Sequence, residues 1–173
     1  MKKAVFLFIT CSLMLWSCSS DSENNTEQDT NALIGTWVAQ DITNTGTATF
    51  DILGETITAP IEGQGYDVDF TLSFSENPDN YTTEGSFGLE ISVTYLFQTM
   101  TERIDNQEFL GNGTWSKQGN TITIVENGET TILTIKELTS TRLILTGHET
   151  EDITEDGITY TSEFDLEASF IKQ

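Results

Sequence analysis

An all-β, antiparallel fold is what this 173-residue chain predicts, and three observations carry that reading. From Leu33 onward apolar residues alternate with polar ones at a period of two, the pattern of half-buried strands. Threonine occurs 29 times, and its β-branched side chain suits a pleated surface better than a helix. Turn signals rich in Gly, Asn and Pro punctuate the alternating runs.

Taken in order, the series opens at Leu33-Ile34-Gly35-Thr36-Trp37. Between Asp41 and Tyr66 the residues Gly46, Gly54, Pro60, Gly63 and Gly65 break up short apolar stretches, which reads as a hairpin insertion or as a long loop. Val68, Phe70, Leu72 and Phe74 then share one face of a strand, against Asp67, Asp69, Thr71 and Ser73 on the other. Asn77-Pro78-Asp79-Asn80 supplies a turn. Phe87, Leu89, Ile91, Val93, Tyr95 and Phe97 alternate through the next long strand. Shorter strands follow at 121–125, 130–136 and 142–146, separated by Gly119-Asn120, Asn127-Gly128 and Thr139-Ser140. Asn127-Gly128 suits a two-residue hairpin because both residues tolerate positive φ. The clearest alternation is the last, with Ile158, Tyr160, Phe164, Leu166, Ala168 and Phe170 on one side and Ser162 the one polar residue among them. The count is about eight to ten strands. A sheet of that size with one apolar face must curl into a barrel or split into two layers, and the pattern leaves both open.

Several segments together narrow the choice. Leu33-Ile34-Gly35-Thr36-Trp37, Phe74-Ser75 through Asn80-Tyr81-Thr82, Gly113-Thr114-Trp115-Ser116-Lys117 leading into Gly119-Asn120-Thr121-Ile122-Thr123-Ile124, and the run from Ile135 to Leu145 resemble, in order and spacing, the lipocalin-like lipoproteins of Bacteroidetes. The resemblance implies an antiparallel up-and-down barrel of about eight strands over residues 32–173. It also implies that the Gly35-x-Trp37 tryptophan closes one end of the barrel beneath a cationic side chain, for which Arg142 and Lys172 are the candidates. The second Gly-Thr-Trp, at 113–115, has flanks unlike the first and reads as coincidence and not as a repeat.

The first 17 residues carry Lys2 and Lys3, an apolar run from Ala4 to Trp16 and a small residue, Ser17, just before Cys18: the order of a secretory signal. The run is shorter than the roughly 20 residues that a spanning helix needs. Leu15-Trp16-Ser17-Cys18 resembles the lipobox of bacterial lipoproteins, which implies cleavage after residue 17, acylation of Cys18 and attachment to a membrane through it. Residues 18–31 are polar and acidic without apolar periodicity and read as a flexible linker. An acidic run behind the anchor cysteine is similar to surface-export signals of Bacteroidetes lipoproteins and implies the outer membrane, with the domain at the cell surface.

The chain carries 7 basic and 28 acidic residues, a net charge of −21, which repels nucleic acid and anionic head groups alike. Both cysteines lie within the first 18 residues, so the domain has no disulfide and no thiolate metal site. His148 is the sole histidine, so neither a spare catalytic base nor a multi-histidine metal site can be assembled. Glu149, Glu151, Asp152, Glu155 and Asp156 before Gly157 read as a solvated hairpin loop, their order unlike that of a calcium loop. No cofactor is implied and no enzyme is expected. The function expected is binding, with Phe70, Phe74, Phe87, Tyr95, Phe97, Tyr160 and Phe164 lining a pocket for a small hydrophobic or amphipathic ligand. The alternative is a surface interaction lipoprotein whose barrel is filled by those same side chains.

Overall fold

A computed structural model describes residues 32–52, 54–155 and 158–173. The leader, Cys18 and the linker lie outside the described residues, as do Asp156, Gly157 and the side chain of Tyr160.

The alternating segments form nine strands: β1 (Gly35–Ile52), β2 (Glu55–Ser75), β3 (Asn80–Tyr95), β4 (Gln98–Gln107), β5 (Asn112–Gln118), β6 (Thr121–Glu126), β7 (Glu129–Leu138), β8 (Arg142–Glu155) and β9 (Ile158–Lys172). All pair antiparallel in the order β2-β1-β9-β8-β7-β6-β5-β3-β4, and a further β2–β3 pairing closes eight of them into a ring. β4 and β5 run in the same direction along β3. β4 pairs with its far half, from Phe87 to Tyr95, and β5 with its first residues, Asn80 to Thr82. They are one barrel strand broken at 108–111, so nine strands occupy eight positions of an up-and-down barrel.

Alternation explains the core. Trp37, Phe70, Leu72, Phe74, Tyr81, Ile122, Ile124, Leu133, Leu143, Leu145, Ala168 and Phe170 all point inward and are almost wholly shielded from water. Strand length then divides the barrel into two levels. At the lower level, where the chain enters at Gly35 and leaves at Lys172, all eight positions are filled and the ring is complete. β6 has 6 residues and β7 has 10, whereas β1 has 18 and β2 has 21. Above the short strands only six continue, in the order β4-β3-β2-β1-β9-β8, as an open extension roughly 30 Å long.

The Asp41–Tyr66 segment is therefore a hairpin insertion and not a loop. Thr43 faces Gln64 and the pairing continues to Ile52 opposite Glu55. Two other expectations are corrected here. Glu149 to Glu155 are not a hairpin loop but the upper half of β8, paired residue for residue with β9. Their charges do not prevent strand formation, because backbone pairing with β9 carries that half while the carboxylates of Glu149, Glu151 and Asp152 stay in water. Phe97 does not continue the inward face of β3. Tyr95 pairs with Gln98, so Leu96 and Phe97 form the two-residue turn between β3 and β4, and the Phe97 ring stands in solvent.

Candidate functional site: the barrel floor, the filled interior and the mouth

The floor of the barrel is built by the first strand and the last. Trp37 lies opposite Lys172 on β9, and the Lys172 ammonium sits 4.9 Å from the centre of the Trp37 ring, where the ring face attracts it. The same ammonium donates to the Ala32 carbonyl at 2.8 Å, and the Trp37 indole donates to the Leu33 carbonyl at 2.8 Å, which ties the incoming chain under the ring. Gly35 has φ +125°, and a Cβ there would lie 2.9 Å from Lys172 Cε; glycine is what lets the lysine stem pass. Arg142 takes no part. Leu143 and Leu145 face inward on β8, so Arg142 faces outward and pairs loosely with Glu137 at 3.7 Å. The parity of β8 makes Lys172, and not Arg142, the cation on the plug.

Above the floor the interior is full. Phe70 is in ring contact with Phe87, Phe109 and Phe170 at centroid separations of 5.7, 5.3 and 5.8 Å, and Phe109 meets Phe170 at 5.7 Å. Such contacts add about 0.5–1.5 kcal/mol each beyond the area they bury. Phe74 packs edge-on against Trp115 at 5.4 Å, and the Trp115 indole donates to the Ser75 carbonyl at 2.9 Å. The residues proposed from sequence as pocket walls thus separate into three groups. Phe70, Phe74 and Phe87 are core; Phe164 is half-buried on the inner face of the extension; Tyr95 and Phe97 stand at the far tip of the β3–β4 hairpin. Among the described side chains, the structure does not bring these residues around one cavity.

Phe109 is the residue that sequence reasoning missed. It belongs to the break between β4 and β5, where Phe109 and Leu110 turn into the barrel and cap the ring. The apolar pair inside Gln107-Glu108-Phe109-Leu110-Gly111 was the available signal, too short to register as a strand. Glu126 holds this plug in place. Its carboxylate accepts from the Gly111 amide at 3.0 Å and from the Tyr81 hydroxyl at 3.4 Å. Burial, then the Glu126 charge, pushes the Tyr81 hydroxyl up to about 12.

The mouth opens where β7 peels away from β8. Pairing ends at Leu133 opposite Gly147, and above that point lies a cleft of about 320 Å3 among Phe109, Leu110, Leu133, Gly147, Glu149 and Leu166. It sits at the small end of the range for ligand pockets. A second, wider depression of about 670 Å3 lies on the outer wall, lined by Thr43, Thr45, Thr134, Thr146, Asp165 and Glu167. The two share Ile132, Gly147, His148 and Leu166, so an apolar mouth runs on into a polar wall. His148 stands at the junction, with Nδ1 2.8 Å from Asp165 and Nε2 3.5 Å from Glu163. The hydrogen bond to Asp165 raises its pKa above the ordinary histidine value. Its partner is the residue opposite it on β9, not its chain neighbour Glu149. Among the described residues no group of three or more His, Cys, Asp or Glu is placed to hold a metal ion.

A closed eight-stranded antiparallel barrel in up-and-down order, plugged at its floor by the tryptophan of Gly35-x-Trp37, defines a lipocalin-like barrel. Comparison with protein families agrees: a family model described as a lipocalin-like domain matches residues 33–145, and the chain belongs to that family. Comparisons with curated proteins and with solved structures returned no match.

Proposed function

We propose that this chain is a lipoprotein of the cell envelope, acylated at Cys18 and held on the outer membrane with its domain at the cell surface, and that the domain binds a small hydrophobic or amphipathic ligand at the barrel mouth. The observation that carries the binding reading is the cleft of about 320 Å3 above Phe109 and Leu110, apolar at its base and continuous with the polar wall around His148. The lower barrel is packed with rings, so the ligand space is the mouth and not the deep interior. The role proposed is binding, without a catalytic step. Support for the anchor is the Leu15-Trp16-Ser17-Cys18 sequence together with the polar linker behind it.

The test is titration of residues 19–173 with cis-parinaric acid, a fluorescent fatty acid. Saturable uptake is expected, and Gly147→Leu should abolish it: a Cβ at 147 already lies 3.2 Å from Leu133 Cδ2, so a larger side chain fills the mouth. Absence of saturable uptake, or uptake unaffected by Gly147→Leu, would overturn the mouth as the site. A second reading is favoured by the ring contacts around Phe70, namely a surface interaction protein with a filled barrel and no small ligand. A clean ligand-free mass for protein purified from its own source supports it. The anchor is tested separately by incorporation of labelled palmitate, expected in the full chain and lost in Cys18→Ala.

A further inference from the structure

The turn at the tip of the β3–β4 hairpin breaks a rule that the rest of the molecule obeys. Six non-glycine residues among those described have positive φ; four are Asp67, Asn77, Asn106 and Asn127, residues that tolerate that region, and the other two are Leu96 and Phe97 at 47° and 64°. A two-residue turn with both centres at positive φ is the type that favours Asn-Gly, and the β6–β7 hairpin uses that pair at 127–128. At 96–97 the chain instead places two bulky apolar side chains where they strain the backbone and gain no burial. Phe97 is 105% exposed, Leu96 70% and the nearby Met100 77%. Strain kept at a solvent-facing tip marks a contact that the isolated chain does not make.

The chemistry around the tip identifies the contact. Residues 91–101 contain no charged side chain, in a chain with 35 charged residues of 173. The hydroxyls that flank the tip satisfy one another, Thr94 with Thr99 at 3.0 Å and Ser92 with Thr101 at 3.0 Å, so they lose little when water is withdrawn. Tyr95 sits one residue behind the apolar pair, propped by an edge-on contact with Phe50 at 6.1 Å, at the depth where a tyrosine bridges apolar and aqueous layers. The tip is convex, so its side chains can be covered on all sides by a fluid medium without a preformed pocket. We propose that Leu96, Phe97 and Met100 form a wedge that inserts into the surface of a lipid bilayer with neutral or zwitterionic head groups. The net charge of −21 sets that preference against anionic lipid. The wedge and the start of the domain at Ala32 lie at opposite ends of the barrel, roughly 50 Å apart along β3. The 13 residues between Cys18 and Ala32 span at most about 45 Å, enough for the barrel to lie along one surface and touch it at both ends.

The experiment is co-sedimentation of residues 19–173, which carry no acyl chain, with phosphatidylcholine vesicles, so the result is independent of the anchor. The wild-type protein should partition to the vesicles, less so when phosphatidylglycerol is added. Leu96→Asn with Phe97→Gly should reduce partitioning by about tenfold or more while leaving the melting temperature unchanged or higher, since Asn-Gly suits the turn. A melting temperature that falls with the substitution would show a structural role for the pair and overturn the wedge. So would failure of the wild type to partition, or a dimer seen by light scattering that the substitution abolishes, which would assign the tip to a second copy of the chain.

Discussion

The closed lower ring and the six-stranded extension are made of the same strands, yet their inward faces differ. In the ring the inward positions hold Trp37, Phe70, Leu72, Phe74, Tyr81, Leu143 and Phe170, all nearly inaccessible to water. In the extension the corresponding positions of β1, β2 and β9 hold small residues, Asn44, Gly46, Ala48, Ala59, Gly63 and Ser162, beside the larger Phe50, Ile57, Ile61 and Phe164. Large rings fill a tube; small residues let a sheet without its other half curl tightly on itself. A Cβ on Gly46 would lie 2.0 Å from the Glu163 carbonyl oxygen, which shows how closely β1 and β9 approach there. The difference teaches that stability is concentrated in the ring, whereas the extension spends its sequence on shape and reach.

Substitutions can break or sharpen that contrast. The largest effect is expected from Trp37→Ala, which removes the floor and leaves Lys172 without its ring; chemical denaturation should show a loss of about 3–5 kcal/mol. Phe109→Ala should cost less, about 2 kcal/mol, because the ring is only partly buried, and should raise the binding of a fluorescent apolar dye by opening the interior below the mouth. Gly46→Ala tests the extension alone. Overpacking against the β9 backbone should cost about 1–3 kcal/mol, with amide exchange accelerated in the upper halves of β1 and β9 and unchanged around Leu143 and Leu145. Equal acceleration in both levels would show that ring and extension unfold as one unit.

The smallest effect concerns pH. The Asp165 hydrogen bond raises the pKa of His148, so the protonated imidazole is favoured in the folded state. Its contribution is fully present below the unfolded value of about 6.5 and is lost as pH rises through the higher folded value. Proton NMR should give a His148 midpoint above 6.5, and Asp165→Asn should lower it, with little change in stability because the pair is exposed.

Much of the ring was legible in the sequence because period two is a local property: the β9 residues from Phe164 to Phe170 and the β2 residues from Phe70 to Phe74 face as their alternation predicts. Phe97 was misread because alternation does not announce where a strand ends when the turn residues are themselves apolar. The choice between Arg142 and Lys172 stayed open because it turns on which strand end lies beside Trp37 with its inward parity there: Lys172 shares the face of Phe170, whereas Arg142 lies on the face opposite to that of Leu143. The candidate site was the least legible part. A pocket is the space that side chains leave, and alternation alone does not distinguish rings that line a cavity from rings that touch.

By itself the sequence determined an all-β chain, its antiparallel strands and the hydrophobic side of most of them, while the closing of one barrel end by Gly35-x-Trp37 was implied by the family resemblance. Those properties follow from residues within a few positions of one another. Tertiary structure alone decided that β4 and β5 share one barrel position, that Phe109 fills the interior, that β8 runs on to Glu155 past the ends of β6 and β7 and leaves the mouth open, and that Lys172 covers Trp37. Each depends on contacts between segments tens of residues apart, where the lengths of different strands are compared in space, and no local pattern carries that comparison.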